Sequence, residues 1–258
     1  MEESGSALRA GPDCMPIHSI EPRRLYRQIA DQIRTLIRSR EFRAGTRLPP
    51  ERDLARQLGV SRPSVREALI ALEVEGLVEV RIGSGIYVLG QRSDGAPGTP
   101  VHAALGPFEL LRARWIIESE CAALAAKNGK RAQIATIAAA LAQMESVAND
   151  EKRQPLADDR LFHLCIAEAT GNGALVAVVK MLWEERTGPL FAQLEHHYDS
   201  PDQWTRAIAE HHVVLDAIAK RDVAGARAAM QRHLDRAYKR FSRSWDEAAP
   251  KAATTRSH

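Results

Sequence analysis

Four side chains in the second half of the sequence carry donor atoms that suit a divalent metal ion. Asp159 and His163 are four residues apart, so on a helix they lie on one face about one turn from each other. His211 and His233 come later, where other helices of a bundle can bring them to the same place. Three imidazoles and one carboxylate fit zinc, nickel, cobalt or manganese, and the set alone does not choose among them. Spacing alone favours coincidence, because the chain contains nine histidines.

A second group of residues, near the N-terminus, has the chemistry for binding DNA. Arg62 and Arg66 are four residues apart and would share a helix face, with Ser61 and Ser64 beside them. Arg52 lies where the positive end of a helix could grip a phosphate. Taken singly, each arginine is better explained as solvated surface.

The distribution of charge strengthens the DNA-binding interpretation. Residues 22–90 contain 13 arginines, no lysine and 8 acidic residues, whereas residues 91–258 are almost neutral. A local excess of arginine is expected where one domain meets a polyanion. Further along, Arg81 and the Gly83-Ser84-Gly85 backbone are placed to reach the adjacent minor groove or the sugar-phosphate backbone.

The elements that position these arginines can be read from the apolar periodicity. Helical spacing predicts helices at about 25–40 and 51–57, and a third that starts after Ser61 as its N-cap and closes at Gly76. After Gly76 the apolar period becomes that of strands, which predicts two short strands around the Gly83-Ser84-Gly85 turn. Three helices and a hairpin in this order predict a winged helix-turn-helix.

The remainder of the chain is helical in pattern. Helices are predicted at about 107–128, 130–148, 154–170, 173–196, 202–220 and 222–245, which indicates a bundle. The predicted fold class is therefore mainly α, with an N-terminal winged helix-turn-helix and a C-terminal all-α helical bundle. The expected organisation is a flexible tail (1–21), a DNA-binding domain (22–90), a linker (91–106), an effector-binding domain (107–245) and a disordered tail (246–258).

Composition excludes several other classes. With 45% hydrophobic and 27% charged residues, the 258-residue chain has enough apolar sequence for two ordinary cores. No apolar run is long enough to span a membrane, and the N-terminus lacks the pattern of a signal peptide, so a cytoplasmic location is expected. The three cysteines, at positions 14, 121 and 165, are too few and scattered for a disulfide framework and are interpreted as buried or incidental thiols.

The N-terminal motifs resemble those of the GntR family of bacterial regulators. The resemblance rests on GTRLPPERDLARQLGVSRPSVREALIALEVEGLVEVRIGSGIYV, with its Leu-Pro-x-Glu-Arg segment, Gly-Val-Ser-Arg turn and glycine-rich wing. Two positions depart from the family pattern, because Pro50 replaces a serine and Ile86 replaces a threonine. The resemblance implies DNA contacts by Arg52, Ser61, Arg62, Ser64, Arg66 and Gly83.

The C-terminal segments resemble the FCD effector domain of the FadR subgroup of this family. The segments DRLFHLCIAEATGN, EHHVVLDAIAKRD and AGARAAMQRHL carry the resemblance. It implies that Asp159, His163, His211 and His233 match the ligands of the metal-binding members, and the expected cofactor is a divalent ion, zinc before nickel, cobalt or manganese. His212 is the rival for the third position. His196 and His197 are interpreted as polar residues at a helix end.

A metal with open coordination positions would let a small carboxylate complete its shell. Arg114 is the candidate cation for that acid, although a salt bridge with Glu118 on the bundle surface explains it almost as well. Asn172 is a second candidate, with helix capping as the alternative. The segment MLWEERTGPLFAQLEHHY followed by Trp204 resembles regulators of hexuronate and related sugar-acid catabolism, whereas core packing alone would also explain Trp183 and Trp204.

The predicted function is a homodimeric, DNA-binding transcriptional repressor and not an enzyme. Its partners would be double-stranded operator DNA and a small carboxylate such as a hexuronate, which would change the affinity for DNA, and no membrane is expected as a partner. Two alternatives remain open from the sequence. A metal-dependent hydrolase would need a general acid or base beside the metal, and a direct metal sensor would need no organic effector.

Overall fold

The structure is a computed structural model that describes residues 24–90, 104–148, 155–198 and 200–243. The predicted tails at 1–21 and 246–258, and residues 91–103 of the predicted linker, lie outside these ranges. The described part contains ten helices and one two-stranded sheet, so the fold is mainly α, as predicted. Among the helices of these ranges, none combines the length and the apolar character needed to cross a membrane.

The first three helices and the sheet form the winged helix unit. Its elements are α1 (Leu25–Arg38), α2 (Glu51–Leu58), α3 (Arg62–Val74), β1 (Val78–Arg81) and β2 (Gly85–Val88). α2 ends at Gly59, whose left-handed φ of 66° turns the chain sharply towards α3. α3 begins after Ser61, whose hydroxyl oxygen accepts a hydrogen bond from the backbone N–H of Ser64.

The wing is a short antiparallel hairpin. Val78 lies opposite Val88, and Arg81 lies opposite Gly85. Gly83, at φ 76°, allows the tight turn, because L side chains rarely adopt that conformation. Arg47 pairs with Tyr87 in an isolated bridge, so the chain before α2 lies alongside the hairpin and fixes it to the helices.

The remaining helices form the bundle. α4 packs against five of the others, namely α6, α7, α8, α9 and α10, and is its central element. Cys121 and Cys165 are buried free thiols, as expected, whereas Cys14 lies outside the described residues. The bundle helices are α4 (Pro107–Asn128), α5 (Arg131–Ala148), α6 (Leu156–Ala169), α7 (Gly173–Arg186), α8 (Pro189–His196), α9 (Pro201–Ala219) and α10 (Val223–Phe241).

One helix prediction was wrong, because the expected single helix at 173–196 is two helices. α7 ends at Arg186 and α8 begins at Pro189. Proline disfavours helical backbone in the residue before it, and Gly188 accordingly has an extended conformation, with φ −67° and ψ 160°. The Gly188-Pro189 pair was visible in the sequence and is the signal that should have divided the helix. After this break, α8 packs against α3 of the winged helix unit.

The apolar core of the winged helix unit continues into the bundle. Leu69 and Ile70 of α3 belong to one buried cluster with Leu190, Phe191 and Phe241 of the bundle. We call this continuous cluster the shared core. A second cluster fills the interior of the bundle around Trp183 and Phe162. The shared core makes the two units neighbours in direct contact, which the sequence did not predict.

Candidate functional site

The four predicted metal ligands converge inside the bundle, on α6, α9 and α10. All four side chains are buried, and their ligand atoms lie within 4.8 Å of one another. His211 Nε2 is 3.3 Å from His163 Nε2 and 3.2 Å from His233 Nε2. Asp159 Oδ1 is 3.4 Å from His211 Nε2 and 3.5 Å from His163 Nε2. Three histidine rings, one from each of these helices, therefore direct their Nε2 atoms to one position.

The spacing of these atoms fits a shared metal ion. Two ligand atoms at about 2.1 Å from one ion lie about 3.0 Å apart at a right angle and about 3.4 Å apart at the tetrahedral angle. The observed separations of 3.2 to 3.5 Å are close to these values. Within the described residues, the buried Asp159 Oδ1 has no hydrogen-bond partner. Since buried polar atoms normally have one, this oxygen is available as a ligand for a cation.

Carboxylates on the outer side of the cluster hold two of the rings. Glu118 Oε2 lies 2.5 Å from His163 Nδ1, and Glu210 Oε2 lies 2.9 Å from His233 Nδ1. Such partners fix the tautomer and direct Nε2 towards the metal position. Arg114 Nε donates to Glu118 Oε1 at 2.7 Å and so fixes that carboxylate. This role of Glu118 and Glu210 was not predicted from the sequence, because their contacts with the rings join different helices.

Two rings of the cluster are ready to bind a cation, whereas the third would first release a proton. Burial lowers the pKa of His211 well below its ordinary value and also lowers the pKa of His233, so both rings keep a lone pair. Burial acts on His163 too, but the Glu118 and Asp159 carboxylates outweigh it and raise its pKa. Burial alone would raise the pKa of Glu118, but Arg114 and His163 lower it to about 2. The ionised carboxylates therefore favour a positive ion at the centre.

A cavity of about 290 Å³ lies beside the cluster. Asp159 and His233 form part of its wall, so two of the candidate metal ligands face the space. Its volume is near the lower end for ligand pockets, which fits a small molecule. The wall also contains three arginines and four aromatic side chains, namely Arg114, Arg186, Arg240, Phe191, Tyr198, Trp204 and Phe241.

Arg186 and Arg240 were not predicted as site residues. Arg186 donates to Asp159 Oδ2 at 2.8 Å and to Glu195, so it orients one candidate metal ligand. Arg240 lies seven residues after His233 on α10, which is close to two helical turns. This i to i+7 spacing places both residues on one helix face and is the signal that could have identified Arg240.

Of the two predicted effector-binding residues, Arg114 and Asn172, only Arg114 lines the cavity. Arg114 lines the cavity, but its guanidinium is paired with Glu118 and lies 4.1 Å from the Trp183 ring centre. Its salt bridge is buried, not on the bundle surface as the alternative supposed. The effector-binding role predicted for Asn172 is corrected. Asn172 is exposed and does not line the cavity, and it caps α7 by accepting hydrogen bonds from the N–H groups of Ala174 and Leu175. Helix capping uses both acceptor positions of its side-chain oxygen.

The other histidines lie outside the cluster. His212 is exposed on α9 and lies 2.5 Å from Glu145 Oε1, which leaves His211 as the third member. His196 ends α8 and lines the cavity. His197 follows it, and its Nε2 lies 2.7 Å from Glu73 Oε2 on α3. The bond between His197 and Glu73 joins the bundle to the winged helix unit, and no sequence signal indicated it.

Most of the predicted DNA-binding residues lie at accessible positions of the winged helix unit. Arg52 is exposed near the start of α2, and Ser61 is exposed at the cap of α3. Arg62 and Ser64 are half-buried in the first turn of α3. Pro50 caps α2 without a side-chain hydrogen bond, as its replacement of serine implies. Their contacts with DNA stay predictions.

The wing residues are also accessible. Arg81 is exposed, donates to Glu79 Oε2 at 2.7 Å, and lies 4.6 Å from the Tyr87 ring centre. Gly83 lies at the tip of the turn between the strands. A surface ion pair such as that between Arg81 and Glu79 is weak, so the guanidinium can change partner at little cost.

Arg66 is the exception among the predicted DNA-binding residues. Only 1% of its surface is exposed, whereas contact with DNA requires an exposed side chain. Its guanidinium donates to Glu51 Oε2 at 2.5 Å and to the backbone carbonyl of Phe241 at the end of α10. The physical reason is the packing of the bundle against α3, which covers this side chain. In the described arrangement Arg66 holds the two units together and is not accessible to DNA.

Comparisons with known proteins agree with this architecture. Residues 25–88 match the bacterial regulatory proteins of the gntR family, and residues 109–236 match the FCD domain. The first match covers the winged helix unit, and the second covers most of the bundle, including all four members of the histidine and aspartate cluster.

Three transcriptional regulators are similar to the chain over most of their own length. The Uxu operon transcriptional regulator of Escherichia coli is 40% identical over 84% of this chain and 87% of its own length. The Exu regulon transcriptional regulator of the same organism is 38% identical over 83% of both chains. The transcriptional repressor NanR of Klebsiella aerogenes is 31% identical over 95% of this chain and 91% of its own length.

Proposed function

The chain belongs to the GntR family of bacterial regulatory proteins and carries an FCD domain, and from this premise we propose that it is a repressor that a small sugar acid releases from DNA. As a transcriptional regulator it is not an enzyme, so the hydrolase alternative is set aside. The names of its relatives, together with the resemblance to hexuronate regulators, support a hexuronate as the acid. We place its action in the cytoplasm, on operator DNA.

The observation that carries the proposal is the shared wall of the metal cluster and the cavity. Asp159 and His233 face the same space as Arg114, Arg186 and Arg240. Asp159, His163, His211 and His233 would hold a divalent cation, which when bound would accept oxygen atoms of the acid. The arginines supply positive charge and fixed hydrogen-bond donors for a carboxylate. The cavity also favours an organic effector over a direct metal sensor, because metal sensing alone requires no such space.

The DNA-binding half of the proposal uses the exposed arginines. Arg52 and Arg81 would contact the sugar-phosphate backbone, while Arg62 at the start of α3 would reach base edges in the major groove. A homodimer would place two such units on the half-sites of a pseudo-palindrome. The small residues Ser61, Ser64 and Gly83 would let the phosphate backbone approach closely.

Control by the acid requires two arrangements with different affinities for DNA. The buried position of Arg66 supports the described arrangement as the one with the lower affinity. DNA binding with a contact by Arg66 would require that α3 and the end of α10 separate. An acid that stabilises the closed arrangement would therefore weaken DNA binding, which is the sign expected of a repressor that is released by its effector.

The test is a gel-shift titration of the purified protein on its own upstream region, at two salt concentrations. The acid arms contain aldo- and keto-hexuronates, and the control arms contain the corresponding neutral hexoses. We expect specific, salt-sensitive binding that one of the hexuronates weakens and that the neutral sugars leave unchanged. Binding that a chelator alone abolishes, with no response to any acid, would instead support a metal sensor. Absence of specific binding in every arm would refute the repressor.

A further inference from the structure

The three arginines of the cavity differ in what neutralises them. Arg114 is paired with Glu118 at 2.7 Å, and Arg186 is paired with Asp159 at 2.8 Å and also with Glu195. Each of these two cations already has a carboxylate of the protein as its partner. Their charge is therefore largely compensated before any ligand arrives.

Arg240 lacks a directly paired carboxylate among the described residues. No Asp or Glu of the described residues forms an ion pair with it, and its buried Nε has no hydrogen-bond partner among them. Its guanidinium lies 5.0 Å from the ring centre of Phe241, which also lines the cavity. Burial, and secondly the neighbouring Arg186, lower the pKa of Arg240, and they outweigh the carboxylates of Glu210, Asp159 and Glu195, which raise it. Arg240 as a whole is half-buried, and a partly desolvated cation without an ion-pair partner is stabilised when an anion joins it.

We propose that Arg240 binds the carboxylate of the effector, at the end of the cavity away from the histidine cluster. The inference deepens the proposed function and rests on it. The planar guanidinium of arginine presents two parallel N–H donors that match both oxygens of a carboxylate. Arg240 would thus be the residue that distinguishes an acid from the corresponding neutral sugar.

The position of Arg240 also limits the shape of the acid. It lies seven residues after His233, so their Cα atoms are about 10 Å apart along α10, and helical side chains lean towards the N-terminus. We therefore expect Arg240 to extend towards His233 along the cavity. The ligand class that fits has a carboxylate at one end of a short carbon chain and hydroxyl or carbonyl oxygens at the other. A two-carbon acid such as acetate is too short to reach both ends.

The test measures binding to the full-length, metal-loaded protein by isothermal titration calorimetry. The variants are Arg240→Gln and Arg240→Lys, and the matched control is Lys239→Gln, which removes an exposed cation next to Arg240. The probe is the hexuronate that binds the wild type most tightly, with acetate and the neutral hexose beside it. We expect a loss of roughly 10- to 100-fold in hexuronate affinity for Arg240→Gln and a smaller loss for Arg240→Lys. Lys239→Gln should match the wild type.

A second measurement separates ligand binding from a structural role. If Arg240 binds an anionic ligand, Arg240→Gln removes a partly desolvated charge that has no ion-pair partner. The substitution should then raise the Tm of the ligand-free protein without changing its metal content. A structural residue would instead lower the Tm. A lowered Tm overturns the proposal, as does unchanged hexuronate affinity in Arg240→Gln or, if that variant does not fold, in Arg240→Lys.

Failure of this proposal is distinguishable from failure of the proposed function. If the wild type is released from DNA by a hexuronate and Arg240→Gln is released at the same concentration, the assignment of Arg240 is wrong and the repressor stands. If the wild type binds no hexuronate, and none releases it from DNA, both proposals fall. Tight binding of acetate by the wild type that disappears in Arg240→Gln would overturn the assigned shape of the ligand.

Discussion

The guanidinium of Arg66 donates a hydrogen bond to the backbone carbonyl of Phe241, a residue 175 positions further along the chain. Phe241 lines the cavity, so one residue touches both the cavity and α3. Arg66 also pairs with the buried Glu51. A ligand that holds Phe241 in place therefore also holds the residue that keeps Arg66 from DNA.

The first prediction concerns the contact between the two units. His197→Ala removes the bond to Glu73 and should favour separation of the units, because it weakens the arrangement that buries Arg66. Since one such bond is worth about 1 kcal/mol, we expect roughly fivefold tighter DNA binding in a fluorescence anisotropy titration. His212→Ala is the control, because it removes an exposed histidine–carboxylate pair between two helices of the bundle and leaves the contact with α3 intact. Weaker DNA binding by His197→Ala would show that the closed arrangement is the DNA-binding one.

The second prediction concerns the metal. His211→Ala removes the central ring of the cluster and should reduce the metal content of the purified protein to near zero, whereas His212→Ala should retain it. Chelation of the wild type should lower its Tm, because an ion that binds only the folded state stabilises it by about 4 kcal/mol at a thousandfold excess over Kd. Elemental analysis and thermal scans measure both effects. Loss of metal in His212→Ala instead would exchange the assignments of the two histidines.

The third prediction concerns pH. Burial is the main cause that raises the pKa of Glu67 from 4.5 to about 7, while its carboxylate accepts the N–H of Phe108 at 2.7 Å. Between these pH values the folded protein keeps a proton that the unfolded chain has released. The contribution of Glu67 to the free energy of unfolding is therefore fully present below about pH 4.5 and is lost as the pH rises to about 7. The total loss is up to about 3 kcal/mol.

The measurement for Glu67 is urea unfolding at several pH values in this window. Glu67→Gln cannot ionise, so the free energy of unfolding should fall less with pH than in the wild type. Glu185→Gln, at an exposed position of α7, is the control and should follow the wild type. Parallel profiles for all three proteins would refute the assignment to Glu67.

The fourth prediction concerns the phosphate contacts. Arg52→Ala should weaken binding to specific and nonspecific DNA alike, because a phosphate contact carries no sequence information. The slope of log affinity against log salt concentration should decrease by about 0.9, since the substitution leaves one phosphate without its cation. Arg38→Ala, which removes an exposed arginine at the far end of α1, should leave the slope unchanged. Equal slopes for Arg52→Ala and the wild type would exclude Arg52 from the interface.

Local patterns were enough to predict the winged helix unit and two members of the histidine and aspartate cluster, Asp159 and His163. The Ser61 cap and the glycine turn of the wing depend on residues that are close in sequence. Asp159 and His163 share a helix face, which spacing reveals directly. His211 and His233 were assigned through the family resemblance, because spacing cannot say which helices meet.

The features that the sequence did not reveal are contacts between distant elements. Burial of Arg66 depends on a backbone carbonyl of α10, and a carbonyl leaves no mark on side-chain patterns. The same holds for Glu118, which meets His163 across two helices. By contrast, the break at Gly188-Pro189 had a clear local signal, so that error came from giving apolar periodicity more weight than proline.

The shared core should make the contact between the two units depend on temperature. When the two units separate, apolar side chains that include Leu190 and Phe191 lose their cover against α3. Apolar contacts weaken on cooling, because their burial carries a large change in heat capacity. Cold should therefore favour the separated units and tighter DNA binding, and warming should favour the closed form. Anisotropy titrations in the cold and at growth temperature would reveal this dependence. The DNA affinity of the regulator would then respond to temperature as well as to its effector.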